Sequence, residues 1–300
     1  MLAIGLAVLA ALLNAVASVL QRWAGRAEPD ERAFSIGLLF DLVRQPVWIA
    51  GIVAITTGFL TQVVALTLGH IAMVQPLMVA ELPFAILLAA SVFRLRPRRS
   101  EWVAIAALTV GLALFIFCLA PGGGDPLAAP TAAWLVGLGV TAAAVAGAVL
   151  WGRSRRHEQR AALLGIATGV AFGLIAALAS AVGAAYRNGL AGVFASWQTY
   201  AVIVSGPAAF FLLQNALQAG RLVASQPGLT LANPIVSVGW GIGVFGEQVR
   251  GGGWIASSLL GAALIAAGTV LLARSPLLAH DRSGTEVSPE RGDRSRRSPT

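Results

Sequence analysis

The 300-residue sequence contains no lysine, one cysteine and three histidines, and only 11% of its residues are charged. Each scarcity excludes something. A lone thiol, Cys118, cannot form an intrachain disulfide or a Cys-based metal cluster. It reads as a small apolar residue facing lipid or a neighbouring helix. His70, His157 and His280 are scattered over expected loops and the tail, with no metal-ligand spacing. No Ser/His/Asp or Cys/His set can be assembled either. Neither enzymatic activity nor a cofactor is expected. Soluble domains carry about 25% charged and about 45–50% apolar residues. This chain is 57% hydrophobic, with a mean hydropathy of +0.78. All 21 basic residues are arginine, a bias for which the sequence offers no physical reason. The net charge of +8 resembles a nucleic-acid signal until the arginines are placed. They sit in loops and at the tail, where they report membrane topology.

What is present is a series of long apolar runs. A helix needs about 20 apolar residues to cross the hydrocarbon core. Nine segments qualify: 2–21, 46–68, 71–93, 101–120, 131–151, 161–185, 198–219, 222–246 and 254–273. Only Gly69-His70 separates the second from the third, and only Gly220-Arg221 the seventh from the eighth, so both pairs read as tight hairpins. The first run is followed, not preceded, by its charges (Arg22, Arg26), the wrong order for a cleaved signal peptide. With the N-terminus outside, segments 22–45, 94–100, 152–160, 220–221 and the tail hold 19 arginines, leaving Arg187 and Arg250 outside. Losing one helix from the count would invert every later loop, so this division supports nine spans and a cytoplasmic C-terminus. Segment 22–45 has an apolar middle and is expected either as a short interfacial helix or as an extension of the second span. The Arg-, Ser- and Pro-rich segment 275–300 cannot bury a core and is expected to be a disordered cytoplasmic tail.

The runs are duplicated. Residues 65–83, ALTLGHIAMVQPLMVAELP, align without a gap to residues 216–234, ALQAGRLVASQPGLTLANP. Gly69 matches Gly220, Gln75-Pro76 matches Gln226-Pro227, and Pro83 matches Pro234. One insertion later, Phe93 matches Phe245 and Trp102 matches Trp254. The expected fold is therefore an all-α membrane protein with a 4+1+4 inverted repeat. Residues 1–120 form the first repeat, 121–151 a Gly/Pro linker and unpaired fifth helix, and 152–274 the second repeat. The odd central helix makes the halves cross in opposite senses, an arrangement suited to alternating access. The fifth span, rich in Ala and nearly uncharged, is expected at the periphery, where it would suit a homodimer contact.

Few residues inside these runs can carry chemistry. Glu81 is the one acidic residue deep in any span, and burying a carboxylate at the bilayer centre costs about 2.5–3.5 kcal/mol by insertion scales. It is expected to be protonated, to hold a cation, or to face a wet cavity. Gln226, Thr230, Asn233 and Ser237 share one helical face. Asn14, Ser18 and Gln21 form a second polar stripe, Gln214 and Gln218 a third, and Thr57, Thr61 and Gln62 a fourth. Singly these suit interhelical hydrogen bonds worth about 0.6 kcal/mol; together they suggest a polar central cavity. Glu81, Asn233, Gln226, Thr230, Asn14 and Gln214 are the candidate substrate-binding residues. Pro76, Pro83, Pro227 and Pro234 remove helical hydrogen bonds and are candidate hinges. Gly165, Gly169 and Gly173, with Gly239 and Gly243, have the small-residue spacing of close helix packing. The string Gly241-x-Gly243-x-x-Gly246 lies inside a hydrophobic helix, which excludes a dinucleotide fingerprint.

These halves resemble the drug/metabolite transporter superfamily. Phe245-Gly246-Glu247, then Trp254, Gly261, Leu264-Ile265 and Gly268, looks like the F-x-E…G-x-x-L-I-x-x-G ending of its EamA-type repeats. Nine spans, an outer N-terminus and hairpins reading G-x-x-x-x-x-Q-P look like the branch that includes the NIPA magnesium transporters. The first half departs from the pattern, having Arg94-Leu95 after Phe93. The resemblance implies a multi-pass transporter of the plasma or inner membrane, exporting metabolites or drugs. Glu81 would then be a candidate proton carrier. Divalent-cation transport is a second reading, in which Glu81 and amide oxygens would hold Mg²⁺. A non-transporting membrane scaffold or sensor is a third.

Overall fold

The computed structural model describes residues 1–25, 45–94, 96–220 and 222–274. The expected interfacial helix within 22–45 and the expected tail at 275–300 lie essentially outside these residues. The described chain is helical, with one isolated antiparallel bridge between Gly122 and Gln248. In chain order the helices are α1 (Leu2–Gly25), α2 (Pro46–Leu68), α3 (Ile71–Met78), α4 (Glu81–Val92), α5 (Arg99–Leu119), α6 (Thr131–Arg153), α7 (His157–Ala185), α8 (Gly189–Ala195), α9 (Trp197–Ala219), α10 (Leu222–Gly243) and α11 (Gly253–Ala273). Among the described residues, eight helical stretches are long and apolar enough to cross a membrane, matching eight of the nine expected spans. The ninth, α10, is a helix of 22 residues whose Ser225, Gln226, Thr230, Asn233 and Ser237 dilute its hydropathy. Large apolar side chains are exposed on the outer helices, such as Val136 and Val140 on α6, Val204 and Phe211 on α9, and Leu259 on α11. A patch of that extent suits hydrocarbon, not water. The chain has the build of a multi-pass membrane protein.

Glycines set the closest helix contacts. α7 and α10 run parallel, with Gly165 against Ser225, Gly169 against Leu229 and Ala232, and Gly173 against Val236. α5 and α11 run antiparallel, with Gly111 on Gly261 and Ala104 on Gly268. The G-x-x-L-I-x-x-G string is thus a packing face: at Gly111 a Cβ would lie 2.9 Å from the Gly261 oxygen, the Ile265 nitrogen and Leu264 Cβ. Gly239 and Gly243 differ from expectation. A Cβ at either would meet nothing within 4 Å, so neither is at a close helix contact.

The third span is interrupted by one tight turn, in which the backbone keeps right-handed helical dihedrals. α3 ends at Met78, Val79 and Ala80 form a turn, and α4 opens at Glu81. Pro83 explains the position of the break. It has no N–H for the Val79 carbonyl four residues back, and its ring crowds that oxygen. The carbonyl instead accepts from the Leu82 N–H at 3.1 Å, and the Val79 and Ala80 N–H groups bond three residues back, to Pro76 and Leu77. The duplicated segment behaves differently: α10 runs unbroken through Pro227 and Pro234. Of the four expected hinges, the break falls only between Pro76 and Pro83.

One end of the bundle is tied across the sequence. The Gly122 and Gln248 backbones exchange hydrogen bonds of 2.9 and 2.7 Å, Asp125 N–H donates to the Phe245 carbonyl at 3.1 Å, and Arg250 N–H donates to the Leu119 carbonyl at 3.1 Å. The Gly/Pro stretch is thus pinned to the segment after α10. An aromatic group anchors the same end: Trp134 of α6 lies 5.1 Å from Trp197, 5.2 Å from Trp240 and 5.5 Å from Phe245, centroid to centroid. Trp240 Nε1 donates to Thr141 Oγ1 at 3.2 Å, which satisfies the buried indole N–H. Otherwise α6 buries only Gly152 and leaves most of its surface outward.

Candidate functional site

Two sets of polar residues stand out, half-buried ones along the spans and a cluster at the tied end. Glu81 is half-buried in the first turn of α4, directly after the break. Asn233 is half-buried on α10, and its Oδ1 accepts from the Ser237 hydroxyl at 3.3 Å. Gln226, Thr230 and Gln214 are also half-buried. Asn14 is turned toward Gly58 on α2, and its Oδ1 has no hydrogen-bond partner among the described residues. The expected stripe on α2 dissolves in part. Thr57 and Thr61 donate back to Val53 and Thr57 carbonyls of their own helix at 2.8 and 2.7 Å, and Thr57 lies on the exposed face.

A residue left out of the candidate set is more deeply placed. Gln75 of α3 is 1% exposed, and neither its Oε1 nor its Nε2 has a partner among the described residues. The sequence carried a signal for it, since Gln75-Pro76 is the repeat counterpart of Gln226-Pro227. Its position follows from helix register. Ile71 packs at Gly241 where α3 and α10 run antiparallel, so one turn further along α3 Gln75 stands level with Ser237. Leaving an amide unsatisfied in such a place costs about 1–3 kcal/mol.

The tied end holds a cavity of about 150 Å³ between the ends of α2 and α7, the start of α3, and the loops at 124–126 and 247. His70, Asp125, Arg187 and Glu247 line it, with Thr67 and Ser180. Arg187 Nη2 donates to Asp125 Oδ1 at 2.7 Å, both side chains being exposed. Glu247 is buried, and its two oxygens accept from the Ile71 and Ala72 N–H groups at 2.8 and 3.1 Å. A carboxylate from the second half thus caps the first turn of α3 in the first, where orphan N–H groups and the helix dipole favour negative charge.

Local sequence builds this cap. Phe245 is held in the aromatic group, and Gly246 takes a left-handed φ of 72° that ends α10 and turns the chain back. The Glu247 N–H then closes on the Gly241 carbonyl at 2.9 Å. Gly124 must also lack a side chain, since its φ is 77° and a Cβ would lie 2.8 Å from Glu247 Cγ. Burial raises the Glu247 pKa above its ordinary value; the two backbone donors and the nearby His70 oppose that rise without cancelling it. The first half has Leu95 at the equivalent position, so the cap exists in one half only.

No family model matches the chain, and no solved structure matches it. An uncharacterized protein of Corynebacterium glutamicum is 29% identical over 280 residues, which is 92% of this chain and 96% of that protein.

Proposed function

We propose that the chain is a secondary transporter of a small solute in the cell membrane, working by alternating access between two inverted repeats. The observation that carries this reading is the break at Val79–Ala80, flanked by Gln75 and Glu81. Discontinuous membrane helices are where transporters bind their cargo, because backbone released from a helix can meet solute or cavity water. The duplicated Gln-Pro segment lies on α10, which packs against α3. The resemblance to the drug/metabolite transporter superfamily accords with this reading.

Charge supports the orientation. The end bearing Gly69-His70, the 119–125 loop and Glu247 carries Arg187 and Arg250. Arg94, Arg98, Arg99, Arg153, Arg155, Arg156, Arg160 and Arg274 flank the other ends of their helices. The positive-inside bias therefore puts the capped end, and the N-terminus, outside. A carboxylate and several amides with no basic residue at their depth favour a neutral or cationic solute over an anion. In this reading α6 stays outside the transport path.

The test is solute flux in proteoliposomes, with a panel of neutral and cationic metabolites and the variant Glu81→Gln. That substitution keeps size and hydrogen bonding and removes titration. Correctly inserted Glu81→Gln protein is expected to lose coupled transport. Wild-type flux with an unchanged pH profile would reduce Glu81 to interhelical glue and move the site to Gln226, Thr230 and Asn233. If no solute moves at all, the chain is a scaffold or sensor.

A further inference from the structure

We propose that Glu247 is a proton-binding site that sets whether the capped end of the bundle is closed or open, and so links pH to the transport cycle. The inference rests on the transport reading above. It starts from connectivity. The Glu247 carboxylate is the side chain that joins the second half to the start of α3, across 175 residues of sequence. α3 is the short helix that ends at the break, so whatever frees its first turn frees the outer segment of the broken span. Any opening between α3 and the segment after α10 must pull Glu247 off the Ile71 and Ala72 N–H groups and admit water beside the cavity.

The proton's preference between the two states follows from solvation. In the closed state the carboxylate is buried at the cavity wall, pressed between Gly124 and Gly241. Burial disfavours the charged form, and this outweighs the help from the two N–H groups and His70. In the open state water solvates the carboxylate, and its affinity for a proton falls to that of an ordinary Glu. The closed state therefore binds the proton more tightly. Acid favours closure; as pH rises from the ordinary Glu value through the raised one, the proton leaves and opening is favoured. Each unit of pKa difference between the states changes the closed-to-open ratio by about tenfold. The other charged groups at this cavity are His70, Asp125 and Arg187. Asp125 and Arg187 neutralise each other at 2.7 Å, so His70 is the neighbour that tunes Glu247. Arg250 is turned away, over Phe117 and Trp254.

The experiment reads opening directly and needs no solute. Full-length protein carrying Cys118→Ala and Ser180→Cys is placed in nanodiscs, where both faces meet water. Ser180 lines the cavity and is buried. Its maleimide labelling rate is divided by that of an exposed control, Leu127→Cys, because thiol reactivity itself rises with pH. The ratio is expected to climb as pH rises above the ordinary Glu value. Glu247→Gln, a neutral mimic of the protonated acid, is expected to hold the ratio low and flat. The Ala72 and Ile71 N–H groups pull Glu247 down most; His70→Gln removes the third and smallest such influence, so the climb should move slightly to higher pH. A flat wild-type ratio, or an unchanged climb in Glu247→Gln, overturns the proposal. If the climb depends on Glu247 but no solute ever crosses a proteoliposome, the proton site stands and the transport reading falls.

Discussion

Replacing Gly111 by alanine tests how the fourth helices of the two halves, α5 and α11, are held together. A Cβ at Gly111 would sit 2.9 Å from the Gly261 oxygen and the Ile265 nitrogen, where ordinary contact begins at 3.4 Å. Both obstacles are backbone, so no side-chain rotation relieves them and the helices must part by roughly half an ångström. Overpacking of this kind costs about 1–3 kcal/mol. Alanine returns about 0.5–1 kcal/mol by stiffening the unfolded chain and favouring helix. The mid-values leave a net loss of about 1 kcal/mol, or an apparent Tm lower by about 2–4 °C for a large chain. Gly139→Ala is the control, because nothing lies within 4 Å of its Cβ position; its Tm should hold or rise slightly. Gly111→Ala combined with Gly261→Ala should cost less than the two singles added, since both open the same gap. Thermal unfolding of the purified protein in detergent measures all four. Equal Tm values for Gly111→Ala and Gly139→Ala would refute the close approach, and full additivity would refute the shared gap.

Two further outcomes are expected. Gln75→Leu removes a buried amide without partners among the described residues and should leave the Tm unchanged or raise it, whereas a clear fall would show that water or solute satisfies the amide. Reporter fusions should place loop 94–100, loop 152–160 and the tail in the cytoplasm and loop 121–130 outside; a tail reporter active only on the outer side would sink the proposed orientation.

Helix positions were legible because they depend on local properties. Crossing a membrane requires every backbone polar group to be paired within the segment, so an apolar run of sufficient length has little choice but helix. Eight expected spans therefore match helices closely, and even the dilute ninth, α10, is helical. Pro83 likewise marked where a helix would be disturbed, since the missing donor is a property of the residue itself. The outcome of that disturbance was not local. The same Gln-Pro and Pro spacing gives a broken helix in the first half and a continuous one in the second.

The candidate site was less legible, for a reason that Glu247 makes plain. In the sequence it is the acid of the F-x-E string just beyond an apolar run, with nothing to say what it touches. Its role appears only when Gly246 turns it back onto the N-terminus of α3 and Gly124 leaves room for its stem. Thr57 shows the opposite error, a polar residue expected in a cavity that bonds its own helix and faces outward. Gly239 and Gly243 have the spacing of a packing face and pack on nothing, while Gly111, in no such motif, is one of the tightest contacts. By itself the sequence determined where the membrane-length helices run, because hydropathy is written along one dimension. The tertiary structure alone decided which polar groups meet across the halves, because a hydrogen bond between residues 175 positions apart depends on helix rotation and turn geometry that no local pattern encodes.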